Sequence, residues 1–183
     1  MVRRPRINPA SGEAEGRPGL YERVEDYVRS HHTLSLATMG HRYQDAEEEP
    51  LPHAATVFYA ADHSLRLVFL SSEASRHAEH VAKVSAVAGT ITGEHKDWKE
   101  IQGVQFWGEA GVLGGRVKVA ALSVYVRRFP FVKGLLSKWK SGGEMRDLEV
   151  YRIQLERVAF TDNTTGLFGR EILELGRDSQ KRE

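Results

Sequence analysis

The sequence predicts a mainly β fold, a small antiparallel barrel with peripheral helices, and three observations carry that prediction. About six or seven short runs rich in β-branched and aromatic residues follow one another at hairpin spacing. Helical periodicity is confined to a few short stretches, so the regular alternation of strand and helix that marks a doubly wound sheet is missing. The chain has 183 residues, 40% of them hydrophobic, enough for one continuous core and too few for a second domain. The expected organisation is a disordered tail over residues 1–18, one domain over 19–176 and a polar tail over 177–183.

The elements follow in order. Leu20, Val24, Tyr27 and Val28 recur at helical spacing and predict a short amphipathic helix ending near Ser30. Thr33 to Met39 alternates with Leu34 and Leu36 on one face, and Gly40 to Pro52 reads as an acidic, proline-bearing loop. His53 to Tyr59 and Leu65 to Leu70 form a hairpin about a turn at Ala61 to Ser64. Ser71 to Ser75 stops that strand. Ala74, Ala78, Val81 and Ala82 then place an apolar stripe on a helix, with Ser72 as its expected N-cap. Strands over Ser85 to Thr92 and Val104 to Val112 flank a polar stretch that carries Trp98, and Gly114-Gly115 ends the second.

Val117, Ala120, Ala121, Val124 and Tyr125 share a helical face, which Pro130 interrupts. Val132, Leu135, Leu136 and Trp139 predict a further short helical face, and Ser141-Gly142-Gly143 a loop. Two short strands over Glu149 to Leu155 and Val158 to Thr161, a turn through Asp162 to Gly169 and a strand over Glu171 to Leu175 close the domain.

Composition removes several function classes. With 26 Lys and Arg against 25 Asp and Glu the formal charge is +1, too small for a global field that would draw the surface onto nucleic acid or an anionic membrane. The cations and aromatics of Arg127 to Lys140 read as an amphipathic helix pair with solvated lysines. No apolar run reaches the roughly 18 residues of a membrane span. Arg3 and Arg4 precede no apolar run, so no export signal is expected. The absence of cysteine excludes disulfides and thiolate chemistry and fits a reducing compartment. A soluble, cytoplasmic protein is the expectation.

One constellation carries chemistry. Ser71-Ser72-Glu73-Ala74-Ser75-Arg76-His77 runs from a strand end into the first turn of a helix. Unpaired amides and the positive end of the helix dipole point outward there, and Ser and Arg add donors suited to phosphate oxygens. The same residues also read as a capped surface helix whose Arg76 pairs with Glu73 or Glu79. His77 and His80 stand three apart on that helix, but no third ligand completes a metal pattern. His31-His32 at a helix end suits the dipole there. Nothing matches a nucleophile elbow, a paired-carboxylate motif or a dinucleotide fingerprint.

Several segments together resemble the pyridoxamine phosphate oxidase-like split β-barrel family, which commonly binds flavin mononucleotide (FMN) between two subunits. They are Pro52 to Tyr59, Leu67 to Ser72 leading into Ser75-Arg76-His77, Val87-Ala88-Gly89-Thr90, and Gly103 to Glu109. Within that family the chain is similar to a bacterial branch marked by a Gly-Val-Gln-Phe strand (Gly103 to Phe106), an Arg-Phe-Pro turn (Arg128 to Pro130) and a Phe-Thr-Asp-Asn tail (Phe160 to Asn163). The resemblance implies a split antiparallel barrel of the FMN-binding type, a homodimer and a cofactor cleft at the subunit interface. Ala55, Thr56 and Val57 would line the isoalloxazine ring, much of it through backbone groups. Ser71 and Ser72 would approach the ribityl chain, and Ser75, Arg76 and His77 would take the phosphate. Gln105, Phe106 and Trp107 would reach the flavin from the partner subunit.

The chain also departs from the family. Many flavin-binding relatives carry Arg-Lys where this chain has Arg76-His77, which replaces a permanent cation by an imidazole, mostly neutral above its unperturbed pKa of about 6.5. Ala55 stands where pyridoxamine phosphate oxidase has a flavin-facing Arg, and no counterpart of its C-terminal Arg and His follows Asn163, so vitamin-B6 oxidation is not expected. The expectation is an FMN-dependent oxidoreductase. Two alternatives stay open: a ligand-binding or sensing barrel that holds haem, a deazaflavin or another anionic ligand, and a cofactor-free structural dimer.

Overall fold

The computed structural model describes residues 18–40, 50–134, 147–166 and 169–176. The tails at 1–17 and 177–183, the acidic loop at 41–49, the predicted helical residues Leu135, Leu136 and Trp139, and Ser141-Gly142-Gly143 lie outside the described residues.

The chain runs α1 (Leu20–Ser30), β1 (Thr33–Gly40), β2 (Leu51–Ala61), β3 (Leu67–Ser72), α2 (Arg76–Lys83), β4 (Ala86–Thr92), β5 (Gln102–Val112), α3 (Gly115–Arg128), β6 (Leu148–Asp162) and β7 (Arg170–Glu174). All strand pairs are antiparallel, in the order β3-β2-β1-β4-β5-β6-β7, and a further pairing of β3 with β6 closes the ring. Closure removes most of the free strand edge. β6 makes it possible by its length: its first half pairs with β3 and its second half with β7, while β5 runs along its other side.

Alternation builds the interior. Along β1 the residues Leu34, Leu36, Thr38 and Gly40 point inward, while Thr33, Ser35, Ala37 and Met39 face out. Tyr59, Phe69, Phe106, Ile91, Ile153 and Leu155 complete a core in which each is at most 1% exposed, and burying one such side chain stabilises the fold by about 1.5–3 kcal/mol. α1 closes one barrel end with Leu20, Val24, Tyr27 and Val28. α3 lies outside the barrel, where Tyr125 and Phe129 pack with Ala60, Val68 and Val150 in a second cluster.

The structure corrects the sequence reading in four places. Glu149 to Leu155 and Val158 to Thr161 are one strand, because Glu156 is the extra residue of a bulge: Trp107 pairs with Arg157 and the next residue, Gly108, with Leu155. A Cβ on Gly108 would overlap the Gln154 carbonyl, so the bulge needs glycine there. Pro52 lies within β2, opposite Met39, and not in the loop. Leu65 is a buried turn residue with φ 57° that precedes β3, held by Asp62, whose Oδ1 accepts from the Ser64 and Arg66 amides. On α3, Ala121, Val124 and Tyr125 pack against the sheet as expected, but Val117 is 51% exposed and Ala120 is exposed too, and Leu122 and Val126 take their place.

Candidate functional site

α2 closes the barrel end opposite α1, packing against the last residues of β1 and the first of β2. Its N-cap is Ser75 and not Ser72: Ser75 has extended dihedrals, and its Oγ accepts from the Ala78 amide at 3.4 Å. Ser72 acts earlier, accepting from the Ala74 amide at 3.1 Å and so holding the turn. Two side chains thus share the work of leaving a strand and entering a helix within a few residues. The Glu79 amide bonds the Ser75 carbonyl, and the Arg76 and His77 amides, first in the helix, lie where an α-helix supplies no internal partner.

His77 turns back onto that turn. Its Nε2 lies 2.7 Å from Ser71 Oγ and 3.2 Å from Ser75 Oγ, and the two hydroxyls are 3.0 Å apart. Behind it stand two more imidazoles. The His53 ring, pointing inward from β2, stacks on His77 with centroids 6.3 Å apart and meets His80 edge-on at 5.7 Å. His80 is buried, with Nδ1 3.0 Å from Thr38 Oγ1, and a Cβ on Gly40 would overlap its ring. Burial first, then the neighbouring imidazoles, hold His77 below its ordinary pKa. His80 is lowered in the same way, with Arg76 and Lys83 adding to the effect and Glu79 opposing it. Among the described residues no group of three or more His, Cys, Asp or Glu is arranged to hold a metal ion.

Arg76 is exposed. Among the described residues it forms no ion pair with Glu73 or Glu79, the partners that a plain capped helix would give it. The turn therefore joins a guanidinium, serine hydroxyls and first-turn amides with no carboxylate bonded among them, a donor set that fits a phosphate monoester.

The remaining predicted residues divide by strand parity. Thr56, Gln105 and Trp107 lie on the outer face of the sheet, whereas Ala55, Val57 and Phe106 point into the barrel. Phe106 is 1% exposed, so its side chain belongs to the core and only its backbone is available to a ligand. Gln105 Oε1 accepts from Arg170 Nη2 at 2.7 Å, and the Arg157 guanidinium lies 5.9 Å from the Trp107 ring centroid. Strand register supplies residues that motif reading missed. Thr56, Ser35, Thr90 and Gln105 form one exposed row across β2, β1, β4 and β5, and Ala54, Ala37, Ala88 and Trp107 form the next. His53 was legible only as a polar residue in the inward set His53, Ala55, Val57, Tyr59.

The closed antiparallel ring, with helices at its two ends, is a pyridoxamine phosphate oxidase-like split barrel. A haem-binding protein from Mycobacterium smegmatis superposes with a TM-score of 0.65 at 19% identity, over 87% of this chain and 59% of that one. A candidate pyridoxamine 5′-phosphate oxidase from Listeria innocua gives 0.54 at 16% identity, over 78% and 98%. The chain spans less than two thirds of the mycobacterial structure, and at these identities the likeness is one of fold. The chain belongs to the UPF0306 family: it is 37% identical over 130 residues to the UPF0306 protein YhbP of Salmonella paratyphi A, across 70% of this chain and 80% of that protein. No family model matches the chain. Among the described residues no helix is long and apolar enough to cross a membrane.

Proposed function

We propose that the chain binds FMN in a cleft between the two subunits of a homodimer and acts as a flavin-dependent oxidoreductase. The observation that carries the reading is the exposed Arg76, without an ion pair among the described residues, beside Ser71, Ser72, Ser75 and the start of α2. A phosphate dianion supplies the missing partner. The backbone of Ala55 to Val57, with Thr56 on the outer face, would meet the isoalloxazine ring, and Gln105 and Trp107 of the partner subunit would cover it. The bound flavin supplies the electron chemistry; the chain's own residues hold its phosphate, orient its ring and exclude water. The small outward residues Thr56, Ser35 and Thr90 of one row and Ala54, Ala37 and Ala88 of the next leave room on this face for a second copy to approach the sheet.

Haem is the second reading, favoured by the fold shared with the mycobacterial haem-binding protein. Its ligands would have to be released first: His80 is buried on Thr38, and the His77 Nε2 is engaged by two serines. That engagement favours flavin. The test is the absorption spectrum of the purified protein with titration of FMN, riboflavin and hemin. FMN binding at micromolar concentration, with quenching of flavin fluorescence, is the expected result. A Soret band with no response to FMN would replace it by the haem reading, and no response to any of the three would leave a structural barrel.

A further inference from the structure

The Ser71, Ser75 and His77 triangle is a hydrogen-bond chain whose direction is set at one atom. When Nε2 carries a proton it donates to Ser71 Oγ, Ser71 donates to Ser75, and the Ser75 hydroxyl proton is left for a ligand. When the ring is neutral and its one proton sits on Nδ1, Nε2 is bare, so Ser71 donates to the ring and Ser75 donates to Ser71. Both hydroxyl protons are then spent inside the chain, and the turn offers an anion lone pairs in place of a donor.

We propose that His77 sets the phosphate specificity of this turn, that its neutral ring carries its proton on Nδ1, and that a further proton on Nε2 decides whether the Ser71 and Ser75 hydroxyls present a donor to an anion. The inference rests on the reading of the turn as a phosphate site and adds its regulation: the site strengthens toward phosphate as the medium becomes acidic. A protonated ring also places a second cation beside Arg76.

The surroundings support a gate and not a fixed charge. From β2 the titratable group facing His77 is His53; from α2 they are His80, with Arg76, Glu79 and Lys83 around it. β3 contributes Phe69 and Ser71. β6 places Glu149 opposite Ser71, but Lys118 holds that carboxylate. β1 presents Thr38 and Gly40 to His80. No carboxylate hydrogen-bonds the His77 ring among the described residues, so the proton arrives with the anion or with acid, and two neighbouring imidazoles oppose its staying.

The experiment measures FMN and riboflavin affinity between about pH 5.5 and 8 for the full chain and for His77→Lys, whose cation does not titrate in that range. Because both proteins meet the same ligand, whose phosphate itself loses a proton near about pH 6, the affinity ratio of wild type to variant isolates His77. The ratio is expected to fall about tenfold from the acid to the alkaline end for FMN, with riboflavin unaffected. A ratio independent of pH overturns the gate while leaving FMN binding intact; absence of FMN binding at every pH removes the site and the gate together. His53→Asn keeps the ring under test and removes its stacked neighbour, so the midpoint should move to higher pH. An unmoved midpoint, with FMN bound, also counts against the gate.

Discussion

The two helices that close the barrel do it with opposite chemistry. α1 puts Leu20, Val24, Tyr27 and Val28 into its end, and two hydrogen bonds tie it to the strands: Tyr27 Oη donates to the Gln102 carbonyl at 2.7 Å, and the Val28 carbonyl accepts from Tyr59 Oη. α2 puts Ala78, His80 and Val81 into the other end, with His53 and His77 beside them and serines at the rim. A helix needed only to exclude water would repeat the first solution, since a buried imidazole costs desolvation that an aliphatic side chain does not. The polar plug costs stability that the apolar one does not, which is what sets it apart as the candidate site.

That contrast can be broken by substitution. Tyr27→Ala removes a buried ring and two hydrogen bonds, to the Gln102 carbonyl and from the Gly93 amide, and should lower stability by about 3 kcal/mol or more, read as a shift in the urea midpoint, with FMN affinity unchanged once the protein is folded. Gly40→Ala acts at the other end. The new methyl must displace the His80 ring from its place on Thr38, at a cost of about 1–3 kcal/mol, and it should also change phosphate binding through the imidazole stack. If Tyr27→Ala altered ligand affinity as much as Gly40→Ala, the division of labour would be wrong.

Arg76→Ala sharpens the comparison from the ligand side. The side chain is exposed, so stability should move by no more than about 0.5 kcal/mol, while FMN should bind about ten- to thirtyfold more weakly, as expected for one charge-assisted hydrogen bond of about 1.5–2 kcal/mol. Riboflavin, which lacks the phosphate, should bind as before. Equal losses for the two ligands in fluorescence titrations would remove the phosphate from this turn.

The strands and the turn were legible because each rests on local signals: alternation in Thr33 to Met39, and serines where a strand hands over to a helix. Residue parity was legible too, but which parity faces the core is a property of barrel closure, so a run such as Gln105-Phe106-Trp107 could not be divided into inward and outward side chains from the sequence alone. The imidazole stack was not legible, because His53 lies 24 positions before His77 in the sequence and meets it only when β2 and α2 share a barrel end. The N-cap was misplaced by one serine for another: Ser72 and Ser75 both satisfy the capping preference, and only the turn geometry assigns the first to Ala74 and the second to Ala78. β6 divided falsely because a bulge at Glu156 shifts the inside-outside phase midway.

The smallest effect lies in the pH dependence of stability, and it follows from the polar plug alone. His77 and His80 both have folded pKa values below the ordinary histidine value, so the unfolded chain binds protons more readily than the native one. Stability from this source is fully present above about pH 6.5 and declines as pH falls from there through the folded values, because acid pulls the equilibrium toward the state that takes up the proton. Urea midpoints measured at falling pH should therefore drop in the ligand-free protein. His80→Asn keeps a group able to bond Thr38 and has no ring to protonate. It should start lower, because packing is lost, and yet slope less. Added phosphate ligand should flatten the wild-type profile as well, since it favours the protonated His77 in the native state. A wild-type midpoint that rises toward acid would mean that the imidazoles gain a carboxylate partner on folding, and the plug would then be a salt-bridge network in place of a store of neutral rings.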